Sequence, residues 1–182
     1  MVTIRTMTLI HAPVERCFKL SISIDLHTMA AASMGEKAID GVTSGLIRGG
    51  ETVTWRGRHF GWRFKHESLI SVWHPYTHFR NVMTFGALET FEHDHHFAAM
   101  NDGTRLRDEI RFAAPGTVGR LAESLLLKRH LTKYLLRRNA YIKRVAESDE
   151  WHRYLDGQPE VDMRVYLAEI AGASGGRLYA GS

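Results

Sequence analysis

Hydrophobic and polar positions alternate through the middle of the chain. Val53, Trp55, Gly57 and His59 fall on one face of an extended segment, and Trp62, Phe64, His66, Ser68 and Ile70 on one face of the next. Arg56, Arg58, Arg63, Lys65 and Glu67 take the opposite side, so the first set points inward. The same alternation predicts strands near 36–40, 51–60, 62–73, 78–85, 89–99 and 104–113, with Phe79, Asn81, Met83 and Phe85 as the inner set of the fourth. Gly61, His74-Pro75-Tyr76, Gly86-Ala87 and Asn101-Asp102-Gly103 supply the turns of an antiparallel meander.

The flanks follow a different period. Residues 3–11 read as a strand ending at Pro13, which suits the first turn of a helix carrying Val14, Cys17, Phe18 and Ser21 inward. Asp25 is the expected cap of a second short helix over 26–33. Beyond Pro115-Gly116 a long helix is predicted over 117–147. At about 100° per residue its apolar stripe changes side near Leu126, from Val118, Leu121, Ala122 and Leu125 to Leu127, Leu131, Tyr134, Leu135, Ile142 and Val145. Either the helix bends there, or its halves meet different bodies: the sheet, the mouth of a pocket or a second subunit. The glycine-rich loop 41–50 lacks a Gly-Lys-Ser/Thr ending and reads as a mobile rim, not a phosphate cradle. The expected division is one domain over 1–148 and an extension over 149–182, partly helical or flexible.

With 44% hydrophobic and 24% charged residues, the 182-residue chain reads as one globular domain. No apolar run approaches the roughly 20 residues that span a bilayer, and no signal-peptide core opens the chain, so a cytoplasmic protein is expected. Cys17 is the only cysteine, which rules out an internal disulfide framework and a thiolate zinc site and suits a small core residue. The net charge of +4 is mild. Its unevenness matters more: Lys128, Arg129, Lys133, Arg137, Arg138, Lys143 and Arg144 lie together with no acid between Glu123 and Glu147. Such a run is ordinarily the solvated face of a helix, though it can also attract an anionic membrane or phosphate.

The chemistry concentrates in Phe91-Glu92-His93-Asp94-His95-His96-Phe97. Period two puts Phe91, His93, His95 and Phe97 on one face, half apolar and half titratable. Buried imidazoles need partners that a dry core does not supply, so the pattern suits a cavity wall. The expected lining is Trp55, His59, Trp62, Phe64, His66, Asn81, Met83, Phe91, His93, His95, Phe97 and Asp108. A two-residue Asn101-Asp102 turn would face His95 with Asp108, whereas a bulge at Gly103 would face His96 with it. His93, His95 and Asp108 then fit three descriptions: a satisfied polar network, a catalytic His95/Asp108 pair, or a metal site. Neither metal nor cofactor enters the expected inventory, and no nucleophile elbow points to one reaction.

The order of elements resembles the helix-grip fold of the START-like (SRPBCC) superfamily, which includes the birch pollen allergen and bacterial polyketide cyclase/dehydrase-like proteins. The residues carrying the likeness are His11-Ala12-Pro13-Val14-Glu15-Arg16-Cys17-Phe18, then Phe91, His93, His95 and Phe97, then Leu106, Asp108, Ile110 and Phe112. The resemblance covers about residues 3–147. It implies an α+β fold, a curved antiparallel sheet of six or seven strands around a long C-terminal helix, with a hydrophobic ligand held between them. On that footing the chain is expected to bind a lipid, quinone or polyketide as a monomer or homodimer, with no nucleic acid partner. The alternatives are a cyclase or dehydratase using His95 and Asp108, and an interaction protein whose basic helix meets a membrane or nucleic acid.

Overall fold

A computed structural model describes residues 1–59, 62–114, 120–158 and 161, excepting the side chains of 59, 62 and 120–124. Seven strands form one antiparallel sheet: β1 (Val2–Ile10), β2 (Lys37–Gly41), β3 (Thr52–His59), β4 (Trp62–His74), β5 (His78–Phe85), β6 (Thr90–Met100) and β7 (Gly103–Ala113). Their order across the sheet is β1-β7-β6-β5-β4-β3-β2, so β2 to β7 run as a meander and β1 closes onto its last strand. Two helices, α1 (Val14–Ser21) and α2 (Ile24–Ala30), carry the chain from the β1 edge to the β2 edge, and α3 (Arg120–Ala146) packs against β1, α1 and α2. This is the expected α+β helix-grip arrangement, with α3 along the inner face.

Local chemistry explains the boundaries. Pro13 precedes α1 with φ −57° and needs no N–H there. The cap of α2 is Ser23, whose hydroxyl accepts from Leu26 N, two residues earlier than the expected Asp25. Asp25 instead accepts from Gly45 N at 2.8 Å. That bond, with Ile24 N to Gly45 O and Ile47 N to Ile22 O, fastens the 41–50 loop to the α1–α2 junction, and Ile47 is buried. The loop is thus a tied segment away from the cavity, not its rim. The β6–β7 hairpin closes on Asn101-Asp102 with Met100 opposite Gly103, the first of the two registers considered. Gly103 has φ +150°, and a Cβ there would lie 2.1 Å from Ile10 O, so only glycine fits.

Among the described residues two apolar clusters fill the interior. In the larger, Phe18 of α1 meets Trp73, Tyr76, Phe79 and Phe97 edge-on, with ring centroids 5.3–5.6 Å apart, and Cys17 is buried alongside. The smaller joins Ile4, Ile110 and Phe112 of the sheet to Leu135 of α3. The second half of α3 carries the stripe that covers the sheet: Leu135, Ile142 and Val145 are buried. Leu125 and Leu126 are exposed, while Val118, Leu121 and Ala122 fall outside the described side chains. Residues 149–158 continue onto the domain, where a short helix α4 (His152–Leu155) buries Tyr154, Tyr141 Oη meets Tyr154 Oη at 2.9 Å, and the Arg16 guanidinium lies over Trp151. The proposed helix or strand after Pro159 lies outside the described residues.

Candidate ligand cavity and its polar floor

Alternation along β6 turns Phe91, His93 and His95 to the inner face, and the hairpin register sets Asp108 of β7 directly across from His95. Asn81 of β5 pairs with His93 on the other side. From above, the inward stripe of α3 lowers Asn139 onto the same group. Asp108 is wholly buried and collects donors from three directions: His93 Nε2 at 2.9 Å on Oδ1, His95 Nδ1 at 2.7 Å from the same oxygen, and Asn139 Nδ2 at 2.6 Å on Oδ2. The His93 bond is aligned. The His95 contact is short, but its N–H direction misses the oxygen, so Nδ1 keeps no true hydrogen-bond partner.

Burial dominates the protonation of this group. It drives both imidazoles below their usual range, His95 furthest because the neighbouring His93 adds repulsion. Their rings sit 3.7 Å apart, and two imidazolium ions cannot share that space. Burial works against the Asp108 carboxylate too, but the His93 hydrogen bond and the His95 ring held against the same oxygen outweigh it and keep the carboxyl well below its ordinary range. The group is therefore one carboxylate served by neutral imidazoles and an amide. Phe79 stacks on His95 at 4.2 Å and fixes the ring from the side away from Asp108.

Above this floor lies a cavity of about 550 Å³ between the sheet and α3. Trp55, Phe64, Met83 and Phe91 line it from the sheet, and Leu126, Leu127, Leu131 and Tyr134 from the helix. Its wall is mainly apolar, and its polar interruptions include His27, Glu36, His66, Asn81, His93, His95 and Arg138, with the exposed Lys65 among the lining residues. One end carries the exposed Ala87 and Leu126, so the cavity reaches the surface there; the far end is the buried His95 and Arg138.

Of the residues expected to line the cavity, Trp55, Phe64, His66, Asn81, Met83, Phe91, His93 and His95 do so, and Asp108 stands directly behind the two imidazoles. Phe97 does not: two positions further along β6 it enters the Phe18 cluster, where it fills core. Phe85 is 62% exposed at the end of β5, beside a register irregularity between Glu67 and Ser68 of β4. His59 and Trp62 pair at the end of the β3–β4 ladder, and their side chains lie outside the described residues.

Sequence reasoning missed a second polar group at the α2 side of the cavity. The buried Glu36 lies 3.1 Å from His27 Nε2, and Tyr134 Oη reaches both, His27 Nε2 at 3.1 Å and Glu36 Oε2 at 3.4 Å. Burial, then the Glu36 charge, pushes the Tyr134 hydroxyl well above its usual value, so it stays protonated. Arg138 was expected on the solvated basic face of the long helix, yet it is 5% exposed, while Lys128, Arg129, Lys133, Arg137 and Arg144 are exposed as expected. A signal was present: Arg138 follows Tyr134 by four positions and precedes Ile142 by four, which places it on the inward stripe.

Among the described residues two clusters have ligand atoms mutually within 4.8 Å, His93-His95-Asp108 inside and His78-Asp94-His96 on the outer face. In the outer one the carboxylate is already occupied, by His78 Nε2 and Arg80 Nε on Oδ1 and by Arg111 Nη2 on Oδ2. Burial opposes ionisation of Asp94, but Arg80 and His78 pull its pKa down to about 2. The inner cluster has a donor set suited to a divalent transition metal, although both Asp108 oxygens are already engaged.

No family model and no curated relative matches this sequence. Solved structures do match its shape. The di-domain ARO/CYC StfQ from the steffimycin biosynthetic pathway superposes with a TM-score of 0.65 at 12% identity, over 82% of this chain and 51% of that one. A START superfamily protein from Mycobacterium smegmatis gives 0.62 at 8% identity, over 80% of this chain and 97% of that one. Ara h 8.0201 gives 0.55 at 12% identity, over 78% and 97%. The superpositions cover the sheet and the long helix at low identity: the chain has the α+β helix-grip fold.

Proposed function

We propose that the protein binds a hydrophobic small molecule, of the lipid, quinone or polyketide class, in the cavity between the sheet and α3, and serves to carry or sequester it. The observation that supports this reading is the cavity of about 550 Å³, within the range of small-molecule sites, with a mostly apolar wall and a few convergent polar groups. Its neighbours in fold include a polyketide aromatase/cyclase and a START superfamily protein, which agrees with that ligand class. The test is fluorescence titration with the neutral probe N-phenyl-1-naphthylamine, in the wild type and in Leu131→Trp, where an indole would occupy the space above Phe91. Saturable one-to-one binding in the wild type, weakened in the variant, supports the reading; no binding in a folded wild type contradicts it.

A second reading, a cyclase or dehydratase, draws on one feature: His95 is neutral, buried in the cavity wall and set against the Asp108 carboxylate, the state a general base requires. Such a base would remove a proton from a carbon next to a ligand carbonyl. His95→Phe abolishing turnover of a bound polyketone, with binding kept, would favour it over simple carriage.

A further inference from the structure

Arg138 is a buried cation of the cavity wall that no described carboxylate pairs with directly, whereas Lys65, which also lines the cavity, is exposed to solvent. It is 5% exposed, Nη2 donates to Ser21 O at 2.9 Å, and Nη1 has no hydrogen-bond partner. Among the described residues no carboxylate comes within 4.0 Å of it. Asp108 is committed to His93, His95 and Asn139, and Glu36 to His27 and Tyr134. The neighbouring imidazoles are neutral and offer no negative charge. A buried guanidinium with a spare N–H is costly to maintain, and an anionic oxygen from outside the chain would satisfy it. Guanidinium also binds carboxylates and enolates in a planar, charge-assisted geometry.

The polarity of the cavity gives that oxygen a direction. At the exposed end Ala87, Leu88 and Leu126 offer apolar surface, Lys65 is solvated, and Phe91 and Leu131 add to the apolar wall. Arg138 belongs to the buried end, one helical turn beyond Tyr134. A molecule with one charged end would therefore lie with its charge at the buried end and its apolar body toward the opening.

We propose that the ligand is an amphipathic anion bound head-inward, its carboxylate or enolate oxygen on the Arg138 guanidinium. This rests on the cavity reading above and adds the ligand's charge and orientation. The test is displacement of N-phenyl-1-naphthylamine at pH 8 by dodecanoate and by 1-dodecanol, which share a chain and differ in the head. The expected result is displacement by dodecanoate at a concentration at least about tenfold lower than by the alcohol, with the preference lost in Arg138→Gln and partly kept in Arg138→Lys. Since Arg138→Gln could lose the tie to Ser21 O and fold poorly, the wild type supplies a second readout. The side-chain N–H resonance of Arg138 should shift on adding dodecanoate and not on adding dodecanol. Equal displacement by the two heads, or a preference that survives in folded Arg138→Gln, overturns the inference while leaving the cavity reading intact. Failure of the neutral probe to bind overturns both.

Discussion

Asn139 of α3 and Asp108 of β7 are joined by a 2.6 Å hydrogen bond, and through it the long helix is tied to the floor of the cavity. Both residues are buried, so the bond is protected from water on either side. Asn139→Leu removes a donor to a buried carboxylate and should lower stability by about 1–3 kcal/mol, read from the urea midpoint at constant slope. An unchanged midpoint would mean that the helix is held by its apolar stripe alone.

The two imidazoles are unequal partners of Asp108. His93 gives an aligned hydrogen bond and His95 a short but misdirected contact. His93→Leu should therefore destabilise the fold by roughly 1–3 kcal/mol and more than His95→Leu does, with probe binding retained in both. Denaturant midpoints of the two variants side by side decide the order.

Acidification should act in two windows. The folded-state values of His93 and His95 lie below the ordinary 6.5, so the unfolded chain takes up protons first as the pH falls. Stability is then full above 6.5 and declines below it, by up to about 1.4 kcal/mol per pH unit for each imidazole. Asp94 is depressed from 3.8 to about 2, so its contribution is present above 3.8 and lost as the pH falls toward 2. Urea midpoints from pH 8 to 3 should show the first decline flattened in a His93→Leu/His95→Leu variant and the second in Asp94→Asn. A profile flat from pH 7 to 5 would contradict the neutral-imidazole assignment.

The exposed basic face of α3 should be irrelevant to a ligand bound inside. Replacing Lys128, Lys133 and Arg137 with Gln should change probe affinity by less than about twofold, because solvent and salt screen these charges from the cavity. A large loss would move the binding site to the helix surface.

Much of this was legible in the sequence, for definite reasons. Period-two alternation locates the strands within a residue or two, whereas the sequence left two registers open for the Asn101-Asp102 hairpin, of which the structure has the one that pairs His95 with Asp108. What escaped depended on distance in three dimensions. Glu36 and His27 come from separate elements and meet only because α2 folds back over β3, with the His27 ring against Trp55 at 4.2 Å. Phe97 shares the face of His95 but meets α1, whose position alternation does not encode. Arg138 was readable by helical phase, yet its six basic neighbours in sequence disguised it as one more surface charge.

The central claim, a small molecule held between sheet and α3, is tested most directly by native mass spectrometry of freshly purified protein before any ligand is added. The account predicts a population heavier than the chain by one discrete small-molecule mass, released on denaturation and depleted in Leu131→Trp. A folded wild type found only at its own mass, and taking up none of the neutral naphthylamine probe when it is supplied, would contradict it.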